Sequence, residues 1–214
     1  MKILMVIDFT QWSHTIIGSI AFLGGIIALV TKKGSRFHII GGRVFFFGML
    51  YASLSIVKFM IEEFRPLAIL LSVATIYCML TSISALRHKR KYSKLIDTIL
   101  IIFPIILFAF ATFQLILILS KISLGTLARL LFSFTFALMV FRDFKRLKSN
   151  DKNHLFFIKR HAFRMILAFG FAVMAVLRIA VKFDFIDLEF SVAIPMLIAL
   201  ISAFYVEKKI EKLL

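Results

Sequence analysis

Acidic residues are scarce in this sequence: 11 Asp and Glu stand against 27 Lys and Arg, a formal net charge of +16. In a soluble chain such a surplus points to nucleic acid. Cysteine is scarcer still. The single Cys78 excludes an intramolecular disulfide and leaves the redox compartment open. Enzyme signatures of soluble folds are missing as well: there is no Walker loop, no GxGxxG after a strand, no HExxH, no CxxC and no GxSxG. A cleavable signal peptide is not expected either, because the first apolar run follows Asp8 and Trp12 and ends in the stop-transfer flank Lys32-Lys33.

What the sequence has in excess is apolar residues. They make up 61% of 214 positions, 26 of them Phe, with a mean hydropathy of +0.99. Soluble domains are roughly 45–50% apolar. The excess falls in separate runs with the length of bilayer-crossing helices. Seven spans are expected, near residues 15–30, 38–60, 66–86, 96–120, 125–141, 161–181 and 190–206, making one all-α transmembrane domain over 1–214 with no room for a soluble one. Trp12 suits an interfacial anchor. Pro66 suits a first helical turn, and Pro104 and Pro195 are expected to kink the fourth and seventh spans.

The connections alternate in charge. The first, third and fifth, together with the tail and the adjoining Arg43 and Arg164, carry 20 of the 27 basic residues. The opposite side holds Asp8, Glu62, Glu63, Asp184, Asp187 and Glu189. The positive-inside rule therefore puts the N-terminus outside and the C-terminus in the cytoplasm, in an inner membrane of the bacterial kind. Six spans is the alternative, because the first run is short. The basic loops, above all the one from Arg142 to Arg160, would meet anionic lipid headgroups, so that nucleic acid is not needed to explain the charge.

The second span presents a mostly small or polar side: His38, Gly41, Phe45, Gly48, Ala52 and Ser55 follow one another by three or four residues. Small residues let helix backbones approach closely in lipid. The sixth span echoes it, with His161 at its basic end, Ala168, Ala172 and Ala175 along one stripe, and Arg178 where the second span has Lys58. Spans one to three and five to seven then read as parallel repeats about the fourth; the plainer explanation is that membrane helices share such ends and stripes.

Two histidines entering the membrane at one depth on parallel helices suit a metal ion or the two axial positions of a haem iron. On that reading His38 and His161 are cofactor ligands, for haem b or a metal ion of unspecified kind, and Arg43 and Arg164 pair acidic groups such as haem propionates. Taken singly, an interfacial histidine more often bonds water, headgroups or a loop carbonyl. His14, His88 and His154 complete the set. Arg129, Arg178 and Lys58 are the other cations inside spans. They are candidates to line a cavity for an anionic ligand, with snorkelling to the interface as the alternative.

Three patches carry a resemblance: His14-xxx-Gly18 leading to Gly25 and Ala28-Leu29; Lys33-Gly34-Ser35-Arg36-Phe37-His38 with Gly42-Arg43; and His161 with Met165, ending in Leu177-Arg178. Together they resemble a bacterial family of predicted multipass membrane proteins to which no activity is assigned. The resemblance implies a helical membrane protein with histidines on its first, second and sixth spans. The likeness to diheme b-type cytochromes is one of analogy.

Three functions follow as expectations: a membrane protein with a haem or metal site between spans two and six; a small transporter or lipid- or anion-binding protein; and an accessory or assembly subunit packing against partner helices or a second copy. No catalytic residue is assigned.

Overall fold

The computed structural model describes residues 9–62, 65–87, 92–118, 123–148 and 154–212. Of the sequence candidates, Glu63 and His88 lie outside the described residues. Every regular element among the described residues is a helix: α1 Phe9–Val30, α2 Arg36–Glu62, α3 Pro66–Leu86, α4 Ser93–Leu100, α5 Ile102–Ile116, α6 Leu124–Lys148, α7 His154–Lys182 and α8 Leu188–Lys212. Counting α4 and α5 as one interrupted span, seven helices are long and apolar enough to cross a membrane. The first of them has 22 residues, so it is no longer short for a bilayer.

Several helices outrun the apolar segments that announce them. The fifth span was expected to stop at residue 141, yet α6 runs to Lys148; the sixth was expected from 161, yet α7 starts at His154. Lys and Arg are good helix formers, so a helix need not end where its hydrophobicity does. Pro66 opens α3, as expected. The break between α4 and α5 falls at Ile101, one residue after Leu100, the carbonyl with which the Pro104 ring interferes. α8 continues through Pro195.

The chain divides into two compact units, Met1–Ile76 and Tyr77–Leu214, with the boundary inside α3. In the first unit α1 and α2 pack through their small residues. A Cβ at Gly41 would lie 2.7 Å from the Gly24 carbonyl oxygen, and one at Gly48 2.6 Å from the Ala21 Cβ. The small side of α2 is thus spent on α1 along its length: His38 Nδ1 lies 2.8 Å from the Ala28 carbonyl and Ser55 Oγ lies 2.7 Å from His14 Nδ1. Where α1 ends, the Lys33 ammonium donates to the carbonyls of Ala28 (2.9 Å) and Leu29 (2.7 Å). Cations are favoured at a helix C-terminus, although partial burial draws this one below the ordinary lysine pKa.

In the second unit α7 lies on α8, with a Cβ at Gly170 only 2.5 Å from that of Ala199, and Phe132 stacks on Phe136 and Phe171 at ring-centroid distances of 5.8 and 6.4 Å. In both units large apolar side chains point outward, among them Phe47, Leu23, Ile106 and Ile201. Ionised groups, by contrast, are found inside the second unit. Apolar exposure on this scale is foreign to water-facing monomers.

Candidate functional site: a buried arginine–aspartate network

In the second unit α4, α6 and α7 bring charged side chains inward, and the part of α3 from Tyr77 onward adds a phenol. α4 has a single buried stripe, Ser93, Asp97 and Leu100, at helical spacing. Ser93 and Ser84 bond each other through Oγ at 2.9 Å, which ties the start of α4 to the end of α3. On α6 the buried line Phe136, Met139, Asp143 and Arg146 continues past the apolar run. On α7 Arg160 and Arg164 stand four residues apart on one face, between Phe157 and Leu167. α3 contributes Tyr77.

Asp97 and Asp143 are the two anions of the network. Arg160 grips Asp97 with both terminal nitrogens, Nη1 to Oδ2 at 2.9 Å and Nη2 to Oδ1 at 3.1 Å, and Nη2 also reaches Asp143 Oδ1 at 3.1 Å. Arg164 Nη2 donates to that same Oδ1 at 2.7 Å. The Tyr77 hydroxyl donates to the other oxygen, Oδ2, and the Arg164 guanidinium lies 4.8 Å from the centre of the Tyr77 ring. Arg146 completes the set, its Nε 3.6 Å from Asp97 Oδ2 and its guanidinium over the Phe157 ring at 4.8 Å. Asp97, Asp143 and Arg164 side chains are each 1% exposed. Cys78 also lies against Arg164.

The physical consequence is a charge balance that does not close. Among the described residues three guanidiniums face two carboxylates, an excess of one positive charge. Three buried nitrogens have no hydrogen-bond partner among the described residues: Arg146 Nε, Arg160 Nε and Arg164 Nη1. Desolvating an ion costs several kcal/mol even after relaxation, and mutual attraction offsets it only where the geometry is good and every proton is used. Here some are not. A neighbouring pair shows the contrast. Arg142 meets Glu207 through two parallel bonds of 2.9 Å and covers the Phe163 ring at 4.0 Å, one cation for one anion.

The residues singled out from sequence are distributed as follows. Arg164 is the one that enters the network, and its anionic partner there is Asp143. Arg43 is exposed. His38, in the first unit, faces the Ala28 carbonyl, and His161, in the second, has Nδ1 2.6 Å from Ser82 Oγ. Among the described residues no group of three or more His, Cys, Asp or Glu is placed to hold a metal ion, so haem or metal binding gains no support. Lys58 is exposed and bonds Thr10 Oγ1 at 3.0 Å within the first unit. Arg129 and Arg178 are half-buried in the second. Arg129 lies near Gly125, whose amide donates to Glu189 Oε2 at 2.7 Å.

Sequence reasoning passed over Asp97, Asp143, Arg146, Arg160 and Tyr77 as site residues. Asp97 carried a signal: an acid within Leu95-Ile96-Asp97-Thr98-Ile99-Leu100 is too costly in an apolar helix to stand alone. Asp143 and Arg146 carried none, because they sit in a basic flank that reads as solvated. No family model, no curated protein and no solved structure matches this chain.

Proposed function

We propose that this chain is a seven-span integral membrane protein that binds a small anionic ligand, a carboxylate or a phosphate, through Arg146, Arg160 and Arg164. The observation carrying this reading is the surplus guanidinium charge in the buried network, with its unused N–H groups. Buried ionisable groups at the end of a membrane-crossing bundle are candidates for a ligand site, and guanidinium forks match carboxylate and phosphate geometry. Asp97 takes both terminal nitrogens of Arg160, and Asp143 accepts from one nitrogen each of Arg160 and Arg164. Uptake then exchanges one anion for another, so that the guanidiniums never lose all their partners. Such exchange suits a small transporter as well as a binding protein.

The membrane setting rests on the seven apolar helices and on the outward-facing apolar side chains. The orientation, with the basic ends in the cytoplasm, rests on the 20 of 27 basic residues gathered there. Thermal unfolding of detergent-purified protein, titrated with acetate, succinate, phosphate and sulfate, tests the ligand class. Saturable stabilisation by one of these anions, weakened about tenfold or more in Arg160→Gln, is expected from losing one charge-assisted bidentate contact. Wild-type protein that responds to no anion beyond a general salt effect would leave the network a structural lock between helices.

A further inference from the structure

On the side of α6 that faces away from the network, Phe141, Phe144, Lys145 and Lys148 form one stripe at helical spacing along an open groove of about 490 Å³. Phe141 is 67% and Phe144 46% exposed, and both lysines are exposed. The two faces of the same helical turns are treated in opposite ways. Inward, Arg142 is committed to Glu207 and Arg146 to Asp97. Outward, Lys145 and Lys148 have no ion-pair partner among the described residues. Two other cations at the basic ends are engaged: Lys159 pairs with Glu211 at 3.0 Å, and Lys33 covers helix carbonyls. Exposed Lys208 and Lys209 stand in a segment that also contains Glu207 and Glu211.

The order of residues along the helix fits a lipid. From Phe141 to Lys148 the helix rises roughly 10 Å. With its basic end at the membrane surface, the rings lie at acyl-chain depth and the ammonium groups at headgroup depth, the arrangement in which lysine stems run along apolar surface to a charged interface. We infer that this face of α6 is a binding site for an anionic phospholipid, its phosphate between Lys145 and Lys148 and an acyl chain along Phe141 and Phe144. The inference rests on the membrane setting proposed above but not on the anion site in the network.

Native mass spectrometry of the full chain released from detergent, titrated separately with phosphatidylglycerol and phosphatidylcholine, tests it. Wild-type protein is expected to bind the first phosphatidylglycerol more tightly than the first phosphatidylcholine. The double variant Lys145→Gln/Lys148→Gln should bind phosphatidylglycerol roughly thirtyfold more weakly, about fivefold for each lysine, with phosphatidylcholine unchanged. Lys209→Gln, at the same end of the molecule, should keep the preference. A double variant that retains it, or a Lys209→Gln variant that loses it equally, overturns the site in favour of diffuse surface charge. Equal wild-type affinity for the two lipids overturns the headgroup contact while leaving the membrane setting in place; binding of neither removes both.

Discussion

Arg164 donates to Asp143 at 2.7 Å with both side chains 1% exposed, an ion pair that joins α7 to α6 inside the second unit. Asp143 accepts at the same time from Arg160 and Tyr77, so one carboxylate organises donors from two other helices.

Removing both partners of that pair should therefore cost less than the sum of removing each alone. Asp143→Leu leaves Arg160 and Arg164 facing each other without this anion, and a loss of about 3–5 kcal/mol is expected. The double variant Asp143→Leu/Arg164→Met replaces charge with apolar volume and should be less destabilised than the sum of the single changes, with a coupling of about 1–3 kcal/mol. Denaturant unfolding in detergent measures the cycle. Additive losses would mean that the two residues do not act as a pair.

Two adjacent glycines should respond in opposite directions. A methyl group at Gly41 would press on the Gly24 carbonyl and on the Ala28 nitrogen at 3.1 Å, whereas one at Gly42 meets nothing within 4 Å. Gly41→Ala is expected to destabilise by about 1–3 kcal/mol, as overpacking does. Gly42→Ala should be neutral or stabilise by up to about 1 kcal/mol through helix propensity. Melting temperatures in one detergent compare the two, and equal shifts would argue against close contact of α1 and α2 at Gly41.

Gly34 tests backbone conformation without packing. Its φ is +81° and no atom would meet its Cβ within 4 Å. Gly34→Ala should cost about 1–2 kcal/mol from the left-handed conformation alone. Gly34→Asn should recover part of that, because Asn tolerates this region better. The ranking of the three melting temperatures is the readout; an Ala variant as stable as the parent would contradict it.

Labelling tests the proposed orientation. A reporter fused after Lys91 is expected in the cytoplasm and one inserted at Glu63 outside, with both positions lying outside the described residues. Reversed labelling at both sites would invert the orientation, and labelling of Trp12 and Lys33 on one side would reduce the span count.

The sequence by itself determined the class of the molecule and the faces of some helices. Seven apolar runs and +16 of charge are properties of composition and order along the chain, and they carry over into seven long helices without tertiary information. The small side of α2 was legible for the same reason, since helical periodicity alone puts Gly41, Phe45, Gly48, Ala52 and Ser55 together. What that side meets was not legible. A face rich in small residues suits any close neighbour, and the repeat-like likeness of spans two and six gave no reason to prefer α1. Only the tertiary structure placed His38 against Ala28 and Gly48 against Ala21.

The network was the least visible part. Asp143, Arg146 and Arg160 lie beyond the hydrophobic runs, and hydropathy cannot distinguish a charged flank in water from one continuing as a buried helix. That distinction depends on whether opposite charges from distant segments arrive at the same point. Asp97 and Arg160 are separated by 63 residues, and Tyr77 and Asp143 by 66. Burial of an ion is tolerable only once its partner is in place, so the site exists as a property of the assembled helices and not of any one of them.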